Sequence, residues 1–349
     1  MIDWSAGYSS SWRLFRVDPA TWADAEQVSG VTSVRIERDG SGDAPTIERG
    51  SLEFDMGVGE TLATGYYRLA LTASQGGAVE RVDVATLLCE SGTGDADRGV
   101  VPMSVTGRSV LHPASVAHLS AGSYAPMGYD GAQYAAELLR GNINAPVHVA
   151  GGASFTLDQH VVMDAGCSVL EAAWLVLKAG NRVLAIDGRG EVTVMAMPTV
   201  PALTLDHANA RLMHTGVTQG VDLSDVPNRF VAVDGNLVAT ATNDDPASPV
   251  STVSRGFVSD VFDKSPKRVN GETLDAYAAR RLSELSTVTE TREYSREWWP
   301  DVTPFSLVRG SLASVGLDGD MRVMRQSLTC GKGIVVEEGA NREVSTWQT

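Results

Sequence analysis

The run Gly65-Tyr-Tyr-Arg-Leu-Ala-Leu71, then Gln75-Gly76-Gly77, then Glu80-Arg-Val-Asp-Val-Ala-Thr86-Leu-Leu88 decides the fold class. Tyr67, Leu69 and Leu71 recur at period two, which gives an extended strand one apolar face. Gln75-Gly76-Gly77 turns the chain into Val82 and Val84, the start of an answering apolar face that runs to Leu88. Strands that alternate in this way, with one polar face, pair antiparallel over a single core.

The same grammar extends outward. Val34 and Ile36 alternate with Arg35 and Glu37 ahead of the turn Asp39-Gly40-Ser41-Gly42. Leu52, Phe54 and Met56 alternate with Glu53 and Asp55. Residues 1–103 are therefore expected to form a small barrel or sandwich. From about Ser104 the pattern changes. Ala135, Leu138 and Leu139 share a helical face between Ala132 and Arg140, with Gly141 as a stop. Between Gly166 and Gly180, Ser168 and Glu171 have capping-box spacing. Val169, Ala172, Ala173, Val176 and Leu177 form the apolar stripe, and Gly180 stands where a terminating glycine belongs. Arg182 to Ile186, the turn Asp187-Gly188-Arg189-Gly190 and Glu191 to Met195 then spell a hairpin. Residues 104–200 read as an α/β segment inserted between β-rich parts.

The remainder, 201–349, returns to strands. Asp234-Gly235-Asn236 separates Phe230–Val233 from Leu237–Ala241, Asn243 to Pro249 reads as a surface loop, and Asp318-Gly319-Asp320 reads as a turn. A helix is expected near 271–286, opened by Asn270-Gly271-Glu272-Thr273 and carrying Leu274, Ala278, Leu282 and Leu285 at helical spacing. The fold class is thus mainly β (α+β).

Of the 349 residues, 43% are apolar and 20% charged, which is enough for a folded chain with a real core. The 35 glycines and 14 prolines favour turns over long helices. The formal charge of −15 repels nucleic acid and anionic membranes. No window approaches 18 apolar residues, so no membrane span is expected, and Met1-Ile-Asp-Trp-Ser5 lacks the pattern of a signal peptide. Cys89, Cys167 and Cys330 are odd in number and far apart, so they are expected as reduced thiols in a protein assembled in a cytosol.

The search for chemistry assigns no catalytic, cofactor-binding or metal-binding residue. GxSxG is absent, and Cys167 in Gly166-Cys167-Ser168 opens a helix, which alone does not make a thiolate site. His112, His118, His148, His160, His207 and His214 lack the spacing of a metal-ligand pair. Asp43, Glu48, Glu53 and Asp55 sit on or beside the solvent faces of strands, the ordinary place for charge. Gly57-Val-Gly59 and Gly92-Thr-Gly94 read as turns, and Asp95 and Asp97 lack the other ligands of a calcium loop. Trp298-Trp299 leaves two readings open, an exposed interface aromatic or a buried platform.

In the order of its elements the chain resembles the baseplate hub or tail-tip hub proteins of long-tailed phages. It is similar to the N-terminal hub module of siphophage tail-associated lysins and to the late-control-type hub of contractile tails. The residues carrying this are Gly65 to Leu71 with Glu80 to Leu88, and the helix Leu274-Asp-Ala-Tyr-Ala-Ala-Arg-Arg-Leu282 with the aromatic, proline-containing stretch to Pro304. The resemblance implies two tube-like antiparallel β-barrel domains, 1–103 and 201–349, around the α/β insertion. It further implies a homotrimer forming a pseudo-sixfold ring in the virion, between a tail tube or distal tail protein and a tip, fibre or spike protein. DNA would pass through without specific binding, and the chain would insert in no membrane. With the sequence closing at Gln348-Thr349, shortly after the second barrel, no appended domain is expected. That departs from the lysin type and removes a cell-wall hydrolase domain from what the resemblance implies. Two rivals remain, a receptor- or carbohydrate-binding adsorption module and a cell-wall hydrolase using dispersed carboxylates.

Overall fold

The computed structural model describes residues 2–4, 6–29, 31–40, 47–57, 62–90, 93–94, 100–206, 217–264, 266, 272–330 and 334–346. Their contacts gather into two compact units, one of Met1–Val217 with Glu293–Ala340, the other of Thr218–Arg292 with Asn341–Thr349.

The first unit opens with strands β1 (Ser9–Val17), β2 (Asp24–Val28), β3 (Val31–Asp39), β4 (Ile47–Gly57), β5 (Gly65–Gln75), β6 (Ala78–Cys89), β7 (Thr93–Gly94) and β8 (Val100–Arg108). They neighbour one another in the order β3-β4-β8-β6-β5-β1-β2, with β7 paired to β8. The β5–β6 hairpin turns on Gly76 and Gly77, both at positive φ (55° and 86°), a conformation that costs glycine little. Leu14, Ile36, Leu52, Tyr67, Leu69 and Leu71 help fill the core. One expectation needs correcting. The opposite face of β5 is not polar and solvated, because Tyr66, Arg68 and Ala70 are buried as well. That face is covered by the segment that follows. Of the turn expected at Asp39 to Gly42, Ser41 and Gly42 lie outside the described residues.

That segment comprises α1 (His112–Val116), β9 (Ser123–Ala125), α2 (Gly131–Arg140), β10 (Val147–Val149), β11 (Val161–Met163), α3 (Val169–Ala179), β12 (Arg182–Ile186) and β13 (Val192–Ala196). It packs a core of its own around Ala132, Leu139, Leu157, Val176, Leu184 and Val194. Ser168 caps α3 by accepting the N–H of Glu171. Gly180 does not take the left-handed conformation (φ −106°); Asn181 takes it, at φ 52°. The glycine serves packing instead, since a Cβ there would lie 2.4 Å from the Phe155 ring.

The unit's second β core contains β14 (Pro201–Leu205) together with residues returning after position 292. In between, the second unit holds β15 (Thr218–Val221), β16 (Arg229–Asp234), β17 (Leu237–Thr242), α4 (Thr252–Arg255), β18 (Asp260–Asp263) and α5 (Leu274–Leu285). The hairpin at Gly235 (φ 60°) and the helix read from the sequence are both present, and Thr273 caps α5. Phe230, Ala232 and Ala239 of β16 and β17 pack with Tyr277, Ala278 and Leu282 of α5. Asn270 and Gly271 lie outside the described residues.

The closing elements are β19 (Thr287–Glu297), β20 (Leu307–Leu312), β21 (Leu317–Cys330) and β22 (Ile334–Ser345). Leu203, Leu205, Val308, Leu317, Met321 and Val323 form the second β core. Strand β21 changes partner along its length. Leu317 to Arg322 pair with β20, and Arg325 to Cys330 pair with β3. At the change-over Phe305 N donates to Val323 O (2.8 Å) and Gly40 N to Met324 O (2.7 Å). Asp318-Gly319-Asp320 is not a turn but part of β21; the reversal is made at Ala313–Val315 and Gly316. Gly319 (φ 87°) faces Gly310, where a Cβ would stand 2.9 Å from the backbone of Leu317, so these glycines permit a close approach of two strands. Trp298 is buried edge-on against Trp4 (centroids 5.6 Å apart) and Trp299 is half-buried, so neither is an exposed platform.

Candidate functional site

The residues weighed for chemistry do not converge. Cys167 is half-buried, and burial pushes its thiol pKa up, with Glu171 and Asp164 adding to the effect. That opposes a thiolate nucleophile. Cys89 and Cys330 share the first β core, and burial pushes each thiol up to about 12. His112 lies near the Ser115 hydroxyl, His118 pairs with Ser168 in an isolated bridge, His148 lies 3.3 Å from Glu191, and His160 packs against Tyr124. His207 and His214 lie outside the described residues, as do Asp43, Val58, Gly59, Gly92, Asp95 and Asp97. Glu48, Glu53 and Asp55 are on β4, Gly57 closes that strand, and Thr93–Gly94 form β7. Among the described residues no group of three or more His, Cys, Asp or Glu is placed to hold a metal.

What the geometry does build is a clasp inside the first unit. Arg68 sits in the otherwise apolar run of β5 with its side chain 2% exposed. Its Nη1 donates to Asp24 (2.7 Å), its Nε to the Thr86 hydroxyl (3.2 Å), and its Nη2 to the carbonyls of Trp22 (3.2 Å) and Arg189 (3.0 Å). Trp22 Nε1 donates to the Arg189 carbonyl (2.8 Å), and Thr86 Oγ1 to that of Gly188 (3.0 Å). The turn between β12 and β13 is therefore seated on the strands by its own carbonyls. A Cβ on Gly188 would lie 1.7 Å from the Asp83 carbonyl oxygen, and one on Gly190 would lie 2.7 Å from Thr86. Two glycines are needed here because β6 comes so close. Arg81 is a second cation on Asp24 and Asp83 (2.7 Å each). Burial works against its charge, but these carboxylates outweigh it and its pKa is raised. Sequence reasoning took Asp187 to Gly190 for a plain hairpin turn. The available signals were an arginine inside an apolar strand and a second glycine beyond what a reversal needs.

Two further ionic groups stiffen the β cores. In the first unit Arg296 and Glu338 form a two-pronged pair (2.8 and 2.5 Å), both side chains at 0% exposure. Gln326 Nε2 joins them, donating to Glu338 (2.7 Å) and to the Val302 carbonyl (2.9 Å). In the second unit Glu290 receives Arg292 (2.9 Å), Arg342 (2.7 Å) and the Gln219 amide. Burial would raise the Glu290 pKa, but the two arginines outweigh it and hold it below the usual carboxylate range.

Among the exposed apolar side chains of the described residues, two groups lie on or beside paired strands. The first unit has the β9–β11 ribbon, where Tyr124 and Val162 face each other across the strands and Met127 and Tyr129 follow on the adjoining loop. The second unit has Val238 and Phe262 on the outer strands of a sheet whose other face is covered by α5.

No family model matches the chain, and no curated protein matches it in sequence. Solved structures do match. The tail protein from Neisseria meningitidis MC58 superposes with a TM-score of 0.62 at 14% identity, covering 97% of each chain. The 43 kDa tail protein of prophage MuSo2 from Shewanella oneidensis superposes with a TM-score of 0.60 at 15% identity, covering 94% of this chain and 97% of that one. A chain of the Francisella PdpA–VgrG complex gives 0.51 at 7% identity, covering 96% of this chain and 53% of that one. The fold is mainly β and is shared with these tail proteins, in line with the resemblance.

Proposed function

We propose that this chain is a structural subunit of a phage tail, a hub joining the tail tube to the tail tip or baseplate, and that it catalyses no reaction. The observation that carries this reading is the end-to-end likeness of fold to two tail proteins, with nearly all of each chain covered. The clasp, the buried pairs and the exposed apolar patches accord with a part built to be rigid and to be joined to others.

In finer detail, the hub is a homotrimer contacting a tube or distal tail protein on one side and a tip, fibre or spike protein on the other. Within each copy, 1–103 and 201–349 supply the two tube-like parts and 104–200 the insertion. Three copies carry three times −15, or −45. An acidic lumen would give passing DNA no phosphate pairing and no counterion-release affinity. Repulsion would be screened over roughly 8 Å at physiological salt. Assembly in the bacterial cytoplasm and residence in the virion complete the reading.

The test is electron microscopy of particles carrying a labelled copy of the chain, with sedimentation of the purified protein. Label at the tube–tip junction and a mass of three times 37.0 kDa are expected. Label elsewhere on the particle would overturn the hub assignment, and tight duplex binding at low salt would overturn the acidic conduit.

A further inference from the structure

We infer that the β9–β11 ribbon is a docking surface for an extended segment of a different protein, one carrying an aromatic or aliphatic side chain between lysines or arginines. The surface is built rather than incidental. Tyr124 and Val162 are a directly opposed cross-strand pair, 55% and 68% exposed, where two apolar side chains would ordinarily be turned inward. His160 stands edge-on to Tyr124 (centroids 5.0 Å apart), and its Nδ1 accepts the backbone N–H of Met127 (3.1 Å). The histidine thus ties the Met127 loop to the strands, and Met127 is itself 60% exposed. Tyrosine and methionine are enriched in protein interfaces, and a rigid aromatic beside a flexible thioether suits an inserted side chain.

Charge selects the occupant. Between Ser109 and Ala179 there are five carboxylates (Asp130, Glu137, Asp158, Asp164 and Glu171) and two cations, Arg140 and Lys178, the latter in the last turn of α3. Arg140 is turned to the Val147 carbonyl (3.0 Å). Arg182, which reaches this segment from outside that span, is held by the carbonyls of Ala153 and Gly180 and lies over the Phe155 ring. Asp158 and Asp164, both exposed, bracket the run Gln159 to Met163 that forms one side of the ribbon. An apolar patch rimmed by carboxylates complements a cationic segment and repels an acidic one. A second copy presenting the same ribbon would set carboxylate against carboxylate, so like-on-like pairing at this patch is disfavoured.

The test uses the full chain and fluorescent twelve-residue peptides with a central Trp-Leu pair, flanked by lysines in one and glutamates in the other, read by anisotropy. The lysine-flanked peptide is expected to bind at least tenfold more tightly, and more weakly as salt rises. Val162→Asp and Tyr124→Ala should each weaken it about tenfold or more, while Phe262→Asp in the second unit should not. Both ribbon positions are exposed, and an unchanged circular dichroism melt would show that the variants fold. Equal binding of the two peptides, no binding up to millimolar peptide, or indifference to both ribbon substitutions would overturn the inference. So would self-association abolished by Val162→Asp, which would make the occupant a second copy. Glycan binding abolished by Tyr124→Ala would equally overturn it, by making the ribbon a sugar platform.

Discussion

Replacing Arg296 with methionine tests whether the second β core is held by a charge pair or only accommodates one. The substitution keeps most of the side-chain volume but strands Glu338, a carboxylate with no solvent exposure. Removing one partner of a fully buried pair costs about 3–5 kcal/mol, because the remaining charge has neither water nor counterion. Gln326 continues to donate to Glu338 (2.7 Å), which puts the loss near the lower end, about 3 kcal/mol. For a unit of this size that corresponds to a fall in Tm of roughly 6 °C or more. The double substitution Arg296→Met with Glu338→Leu removes both charges, and it should return stability to within about 1 kcal/mol of the natural chain. Thermal and urea unfolding of the natural chain, the single variant and the double variant supply the comparison. A single variant within about 1 kcal/mol of the natural chain, or a double variant less stable than the single, would refute the reasoning.

Three other outcomes are expected. Asp130 caps α2 through the N–H groups of Ala132 (2.9 Å) and Gln133 (3.2 Å) and receives the Ser154 hydroxyl (2.6 Å). Burial alone would raise its pKa, but these bonds outweigh it and the pKa is lowered, so its contribution is present above the unfolded value and lost as pH falls through the folded one. Asp130→Ala should therefore cost about 1 kcal/mol at pH 7 and progressively less below roughly pH 4 in urea titrations, and a cost independent of pH would contradict this. Gly188→Ala should cost about 1–3 kcal/mol and release the β12–β13 turn, seen as loss of amide exchange protection at Gly190; an unchanged melt would show that the clasp yields freely. Thiol titration should find three groups in denatured, unreduced protein, whereas in the native state Cys167 alone should react, and slowly, given the buried Cys89 and Cys330.

Much of the local structure could be read from the chain because it rests on local rules. The β5–β6 hairpin follows from alternation and two glycines, α3 from Ser168 and its stripe, and α5 from Leu274, Ala278 and Leu282. Errors arose where distant residues set the environment. An arginine inside an apolar strand signals a buried partner, but nothing near Arg68 identifies the carbonyls of Gly188 and Arg189. Alternation alone gives β5 a solvated face it does not have. Asp318-Gly319-Asp320 has the composition of a turn, yet its glycine is spent on passing close to Gly310. The ribbon was missed because Tyr124, Met127, His160 and Val162 are scattered over 39 positions of sequence and become one surface only through the three-residue pairing of β9 and β11.

The change of partner within β21 also fixes a waiting time during synthesis. On its β21 side, Ile36 of β3 finds its cross-strand partner only at Leu328, 292 residues later in the chain. At 5–20 residues per second the ribosome needs roughly 15–60 s to supply it. Through that interval one hydrogen-bonding edge of β3 has no native strand to meet and is open to pairing with another nascent chain. The yield of correctly folded subunit should therefore depend on how crowded the translating polysome is.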